Sequence, residues 1–176
     1  MWQVGGPQVK QLVNGSLPSG DWSHIVSGGA VQTVSLPLDD IANGFEIYGE
    51  ITNATGGDAD ISIRPNGLTT DLTSEISGHA NTVTAVGSRS ADGALWTVRA
   101  NTICTVKITC LGSKSGAPRV FQCWFSSAGA VNNDFSEFDV TVRWAATTAL
   151  TSMDIRSTIA ASIGNGSRFK LWKIYG

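Results

Sequence analysis

The amino-acid sequence predicts an all-β chain: an antiparallel two-sheet β-sandwich, jelly-roll-like, carrying an irregular N-terminal arm. Three observations lead there. Short runs alternate apolar and polar residues with a period of two. Asn-Gly, Gly-Gly and Pro-containing breaks separate them. No segment holds a helical period for three turns, although 157–163 has room for a single one. At 176 residues the chain is the size of one domain, and a domain of that length buries roughly 70% of the surface its unfolded form exposes. The reading is an arm over residues 1–30, able to dock or to serve as a first strand, followed by one sandwich domain over 31–176.

Taken in order, strands are expected at 31–36, 45–52, 59–64, 94–99, 102–111, 119–126, 137–145, 152–156 and 168–174, with a weaker candidate at 82–86. The clearest is 137–145. There Phe138, Val140, Val142 and Trp144 share one face and Glu137, Asp139, Thr141 and Arg143 the other, the pattern of a sheet with one wet side. In 45–52 the inner row Phe45, Ile47, Ile51 is interrupted by Gly49, which marks a bulge or a close approach. Asn14-Gly15, Asn43-Gly44, Asn66-Gly67 and Asn165-Gly166 supply residues able to take positive φ at turns. The first thirty residues are rich in glycine and proline yet hold Trp2 and Trp22, rings costly to leave in water, so the arm is expected to dock onto something.

Composition narrows the function. Charged residues make up 15% of the chain, against about 25% in an average soluble protein. The net charge of −2 hides an asymmetry: residues 1–92 hold ten acids and three bases, residues 93–176 four acids and nine bases. The halves should attract one another, between subunits or through strands that interleave within one. Nucleic-acid binding is disfavoured, because the tightest basic run, 168–173, alternates base and apolar residue like an ordinary half-exposed strand. The first residues have neither a basic leader with a long apolar core nor a cleavage site, so synthesis in a cytosol and no membrane segment are expected.

Candidates for chemistry are few. His24 and His79 fall in expected loops without metal-ligand spacing, and Cys104, Cys110 and Cys123 are odd in number and lack CxxC spacing, which suits buried thiols. Asp39 and Asp40 are adjacent and would point to opposite faces of an extended chain. Asp58 and Asp60 lack the remainder of a calcium loop. No catalytic residue, cofactor or metal is assigned. Among the aromatic residues, Trp144 and most others are expected in the core, whereas Trp22, Trp96 and Trp172 have no clear assignment and leave a sugar-stacking platform open.

The last residues, 151–176, read TSMDIRSTIAASIGNGSRFKLWKIYG. They resemble the terminal "TSI-x-I … G-x-GS-x-x-x-LW/Y-x-I" pattern of small β-sandwich structural proteins of tailed-bacteriophage virions. A second stretch, 36–47, is similar to that family's "L-D-G-D-x-D-G-x-Y-x-L" turn, with Asp39 at the first Asp, Gly44 at the last turn glycine and Phe45 at the Tyr position. Ile41 and Ala42 depart from its polar turn residues. The runs 47–53 and 63–67, the latter Ile63-Arg64-Pro65-Asn66-Gly67, look like the family's next strand and its "R-P/F-N-G" corner. The match covers about half the chain, and its motifs are turns rather than catalytic signatures. The resemblance implies a virion structural protein, preferentially a head decoration or cement protein that bridges major capsid protein subunits as a homo-oligomer, often a trimer. The alternative it leaves is a tail or fibre module that recognises host-surface glycans. The residues expected at the docking interface are Trp2, Val4, the Gln8-Val9 pair, Leu12, Trp22, Trp172 and Tyr175.

Overall fold

The computed structural model describes residues 9–12, 24–38, 44–70, 72–80, 83–90, 95–111, 116–128 and 135–175. Thirteen strands are present among the described residues: β1 (Val9–Leu12), β2 (His24–Ile25), β3 (Thr33–Pro37), β4 (Gly44–Thr52), β5 (Ala59–Pro65), β6 (Leu72–Ala80), β7 (Val83–Ser90), β8 (Leu95–Val98), β9 (Ile103–Leu111), β10 (Arg119–Ala128), β11 (Phe135–Trp144), β12 (Ser152–Ser157) and β13 (Arg168–Tyr175). The large sheet has the order β1-β13-β4-β9-β10-β11-β6-β7, with β2 also on β13, and the small sheet has the order β3-β12-β5-β8. All the strand pairs are antiparallel.

From β3 onward the chain shuttles between the sheets: β3 small, β4 large, β5 small, β6 and β7 large, β8 small, β9 to β11 large, β12 small, β13 large. That wrapping is the jelly-roll path. The β9-β10-β11 meander stands where a plain jelly roll has one strand, and it broadens the large sheet.

Alternation decides which side chains are buried. Phe45, Ile47 and Ile51 of β4, Val106, Ile108 and the two cysteines of β9, Phe121 and Phe125 of β10, and Val140, Val142 and Trp144 of β11 line the inner face of the large sheet. Opposite them lie Val34 and Leu36, Ile61 and Ile63, Trp96 and Val98, and Met153 and Ile155 of the small sheet. An aromatic column bridges the layers, with Trp96 stacked on Phe125 at 4.8 Å and Phe125 on Phe138 at 4.9 Å, a geometry that adds to area burial. Trp96, left unassigned by the sequence, is therefore core.

Gly49 is a close approach and not a bulge. Its register with Phe169 and Val106 is unbroken, and an added Cβ would lie 2.5 Å from the Phe169 ring and 2.9 Å from Val106. The polar corner at the end of β4 is built on Asn53, 2% exposed. Its amide nitrogen donates to the carbonyls of Gly57 (2.9 Å), Val98 (3.0 Å) and Arg99 (3.2 Å), and its oxygen accepts from the Thr55 N–H and hydroxyl. Asn66, at φ 52°, does the same work at the opposite corner, donating to Ala149 and accepting from the Thr151 and Ser152 amides.

The structure departs from the sequence reading in three places. β6 was not expected; its sequence LTSEISGHA has few apolar residues, and pairing with β11 and β7 on both sides makes it a strand. His79 therefore lies in β6 and His24 in β2, not in loops. Residues 157–163 form no helical turn: the Thr158 amide donates to Asp60 O, and Ala161 has φ 52°, outside the helical region. Within the first thirty residues, where a first strand was one of the two expectations, β1 and β2 are strands on the edge of β13.

Gly49→Ala should destabilise the fold by about 1–3 kcal/mol, as overpacking in a closed core does. Urea titration would measure it, and a Gly49→Ala/Phe169→Leu double variant should recover part of the loss.

Candidate functional site: the outer face and free edge of the large sheet

The same alternation that builds the core sets a second row of side chains outward. Three rows cross β13, β4, β9, β10 and β11. The middle row is Lys170, Tyr48, Lys107, Trp124, Asp139; one neighbouring row is Trp172, Glu46, Thr109, Gln122, Thr141; the other is Arg168, Glu50, Thr105, Ser126, Glu137. With strands about 4.8 Å apart, this is a polar field holding three half-buried aromatic side chains, Tyr48, Trp124 and Trp172.

The field is pre-ordered. Tyr48 Oη donates to Glu46 Oε2 at 3.2 Å, and Lys107 Nζ lies 3.6 Å from Glu46 Oε1 and 5.3 Å from the Tyr48 ring centroid. Glu46 is only 6% exposed, and a carboxylate so far from water needs such partners. The Tyr48 side chain first, and the Glu46 charge after it, hold Lys107 above the ordinary lysine range against the opposing effect of burial. Trp124 Nε1 donates to Glu137 Oε1 at 2.8 Å, Thr141 Oγ1 donates to Gln122 Oε1 at 3.1 Å, and Arg168 Nε and Nη2 clasp Glu50 at 2.8 and 2.6 Å. Beside Trp124 lies a shallow, open cleft of about 190 Å³, lined by Lys107, Thr109, Gln122, Cys123, Trp124 and Asp139.

Three ion pairs, Asp58–Arg99, Glu46–Lys107 and Glu50–Arg168, each join an acid of the first half to a base of the second. These three pairs meet part of the charge asymmetry within the chain, across strands that interleave. Asp58 and Asp60 are likewise occupied. The Asp58 carboxylate accepts from the Ala100 amide, which with Arg99 holds it below the usual range, and Asp60 accepts from Thr97. Among the described residues no group of three His, Cys, Asp or Glu side chains could hold a metal ion.

Of the expected interface residues, Trp2, Val4, Gln8 and Trp22 lie outside the described residues, as do Asp39 and Asp40. The others lie on two adjoining strands, in two register pairs three residues apart. Leu12 is the register partner of Trp172, and Val9 of Tyr175, at the edge where β1 and β2 run end to end along β13. The sequence missed Tyr48, Lys107 and Trp124 as a group. Each was legible as an outward residue of its strand, but strand order brings them together, and no local pattern encodes that order.

No protein-family model matches this chain, and no curated protein does. Among solved structures, galectin LEC-6 of Caenorhabditis elegans is similar in shape at a TM-score of 0.38 with 11% identity, covering 92% of this chain and 100% of that one.

The three thiols are buried. Desolvation pushes Cys104 and Cys110 up to about 12 and Cys123 higher still, so none is a nucleophile at neutral pH. Iodoacetamide at pH 8 should label no thiol of the native protein and all three in urea. Because the folded-state values lie above the ordinary 9.0, the unfolded chain loses these protons first. The stabilisation is intact below pH 9 and is lost as pH rises toward 12. The urea midpoint should therefore fall between pH 8 and pH 10.5, and brisk native labelling would contradict this burial.

Proposed function

We propose that this chain is a virion structural protein of a tailed bacteriophage, made in the host cytoplasm, that acts without catalysis or cofactor as a head decoration or cement protein. In this reading it binds the outside of the assembled head as a homo-oligomer, preferentially a trimer, and stabilises the shell by bridging major capsid protein subunits.

The observation that carries the proposal is the role of the resembling motifs. The "G-x-GS" segment, Gly164 to Ser167, is the clip that returns the chain to the large sheet. The Gly164 amide donates to Thr52 O at 2.7 Å, the Thr52 amide to Ser167 Oγ at 3.0 Å, and the Gly166 amide to Val26 O at 2.9 Å. The "R-P-N-G" corner, with Asn66 and Gly67 at positive φ, closes the small sheet. The motifs that carry the resemblance are thus ones this wrapping uses. The docking surface in this reading is the β1–β13 edge, where Leu12 and Trp172 are register partners and Tyr175 lies further along β13. An edge strand offers unpaired backbone groups to a neighbouring chain, and several such contacts on one shell combine through effective concentration.

A second reading, a tail or fibre module that recognises host-surface glycans, is favoured by one observation, the polar and aromatic outer face around Trp124.

The separating measurement is copy number in purified particles, by quantitative staining against the major shell protein. Decoration predicts a number comparable to the shell subunit. A handful per particle would contradict decoration and favour the tail, and absence from particles would overturn both readings.

A further inference from the structure

We infer that the cleft between β9, β10 and β11 is a saccharide site that takes one neutral hexopyranose ring, stacked beside Trp124 with its hydroxyls held by Lys107, Gln122 and Asp139. The inference rests on the glycan reading and names its ligand class and its site.

Size is the first argument. About 190 Å³ lies below the roughly 300–1,000 Å³ of a pocket for a drug-sized ligand, so the cleft accommodates a single ring of a longer chain that continues over the open face. Chemistry is the second. A pyranose has an apolar C–H face and a rim of hydroxyls that both donate and accept. The cleft supplies an indole for the first, and for the second an ammonium donor, a carboxamide able to do both, and a carboxylate acceptor. Trp124 is held in place by its 2.8 Å bond to Glu137 and Gln122 is engaged by Thr141, so little side-chain freedom remains to be lost on binding.

Charge is the third argument, and it selects among occupants. On β13, β4, β9, β10 and β11 the outward row residues Lys107, Arg143, Arg168 and Lys170 stand against Glu46, Glu50, Glu137 and Asp139, a sum of zero. Nothing there attracts a polyanion, which speaks against nucleic acid and acidic polysaccharide alike. A second copy of the chain is a poor fit, because the interior of a stable protein interface is depleted of charge. The exposed apolar residues of this face are Ile25, beside Arg168 at the β2–β13 edge, and Ile103 and Val120, near opposite ends of the β9–β10 hairpin; set apart from one another, they form no patch.

The test is an NMR titration of the full chain with methyl glycosides of glucose, galactose and mannose and with their neutral oligosaccharides, following indole N–H signals. At least one series should shift the Trp124 signal saturably with a millimolar Kd. Trp124→Ala and Lys107→Met should each weaken binding at least tenfold while leaving the remaining amide spectrum unchanged. A sialylated analogue should bind no more tightly than its neutral parent. Saccharide binding that survives Trp124→Ala, or that shifts Trp172 alone, would overturn this site and leave the glycan reading standing. Should no neutral saccharide perturb Trp124, the inference fails, and binding of the protein to host cells then decides the broader reading: adhesion abolished by removing surface polysaccharide preserves it, and absent adhesion ends it.

Discussion

Everything in this molecule depends on how the chain turns from one sheet to the other without stranding its backbone groups. A jelly roll changes sheets at each crossing, and at each the ladder hydrogen bonds stop, so buried N–H and C=O groups must find partners elsewhere. The corner beyond β4 is where several crossings coincide. Asn53 satisfies the carbonyls at the end of β8, Ser162 O receives the Ala54 amide, and Gly164 donates to Thr52 O. A side chain at Gly164 would place its Cβ 3.0 Å from that same oxygen. The segment also pairs with Val31 in both directions, tying the entry of the sandwich to its exit.

With the corners fixed, strand alternation distributes the chemistry. The small sheet turns its apolar residues inward and shows solvent mostly Ser, Thr, Asp and Arg, whereas the large sheet, widened by the β9–β11 meander, has an outer face wide enough for three aligned rows. Buried Glu46 shows how far that face is from an inert wet surface. A carboxylate this enclosed is retained only with close partners, and here Tyr48 and Lys107 provide them. The exposed Glu50–Arg168 pair of this face fixes side-chain positions rather than adding much stability, since exposed pairs contribute little.

The legibility of the sequence follows the physics of each element. Strands whose inner row is filled with large apolar residues, such as β9, β10 and β11, were readable to within a few residues, because their alternation is imposed by a core on one side only. β6 was not, since a strand paired on both sides can hold its place with Ser, Glu, Gly and His. β1 and β2 are too short to carry a period. Trp96 and Trp172 resisted assignment for a related reason: the periodic pattern around each is short, and burial of one and partial exposure of the other follow from which sheet each joins. The cleft residues Lys107 and Trp124 come from adjacent strands, and only the register between β9 and β10 makes them neighbours.

The central claim is that recognition belongs to the large sheet, by its β1–β13 edge and outer face, while the small sheet supports it. Hydroxyl-radical footprinting of the protein in place on purified particles, read by mass spectrometry, tests this most directly. The account predicts that oxidation of Trp172 and of neighbouring residues in β13 falls on attachment, while Leu68 and Ile159, exposed at 42% and 36% on segments flanking the small sheet, react as in the free protein. Protection of Leu68 and Ile159 with Trp172, Trp124 and Tyr48 left fully reactive would contradict it.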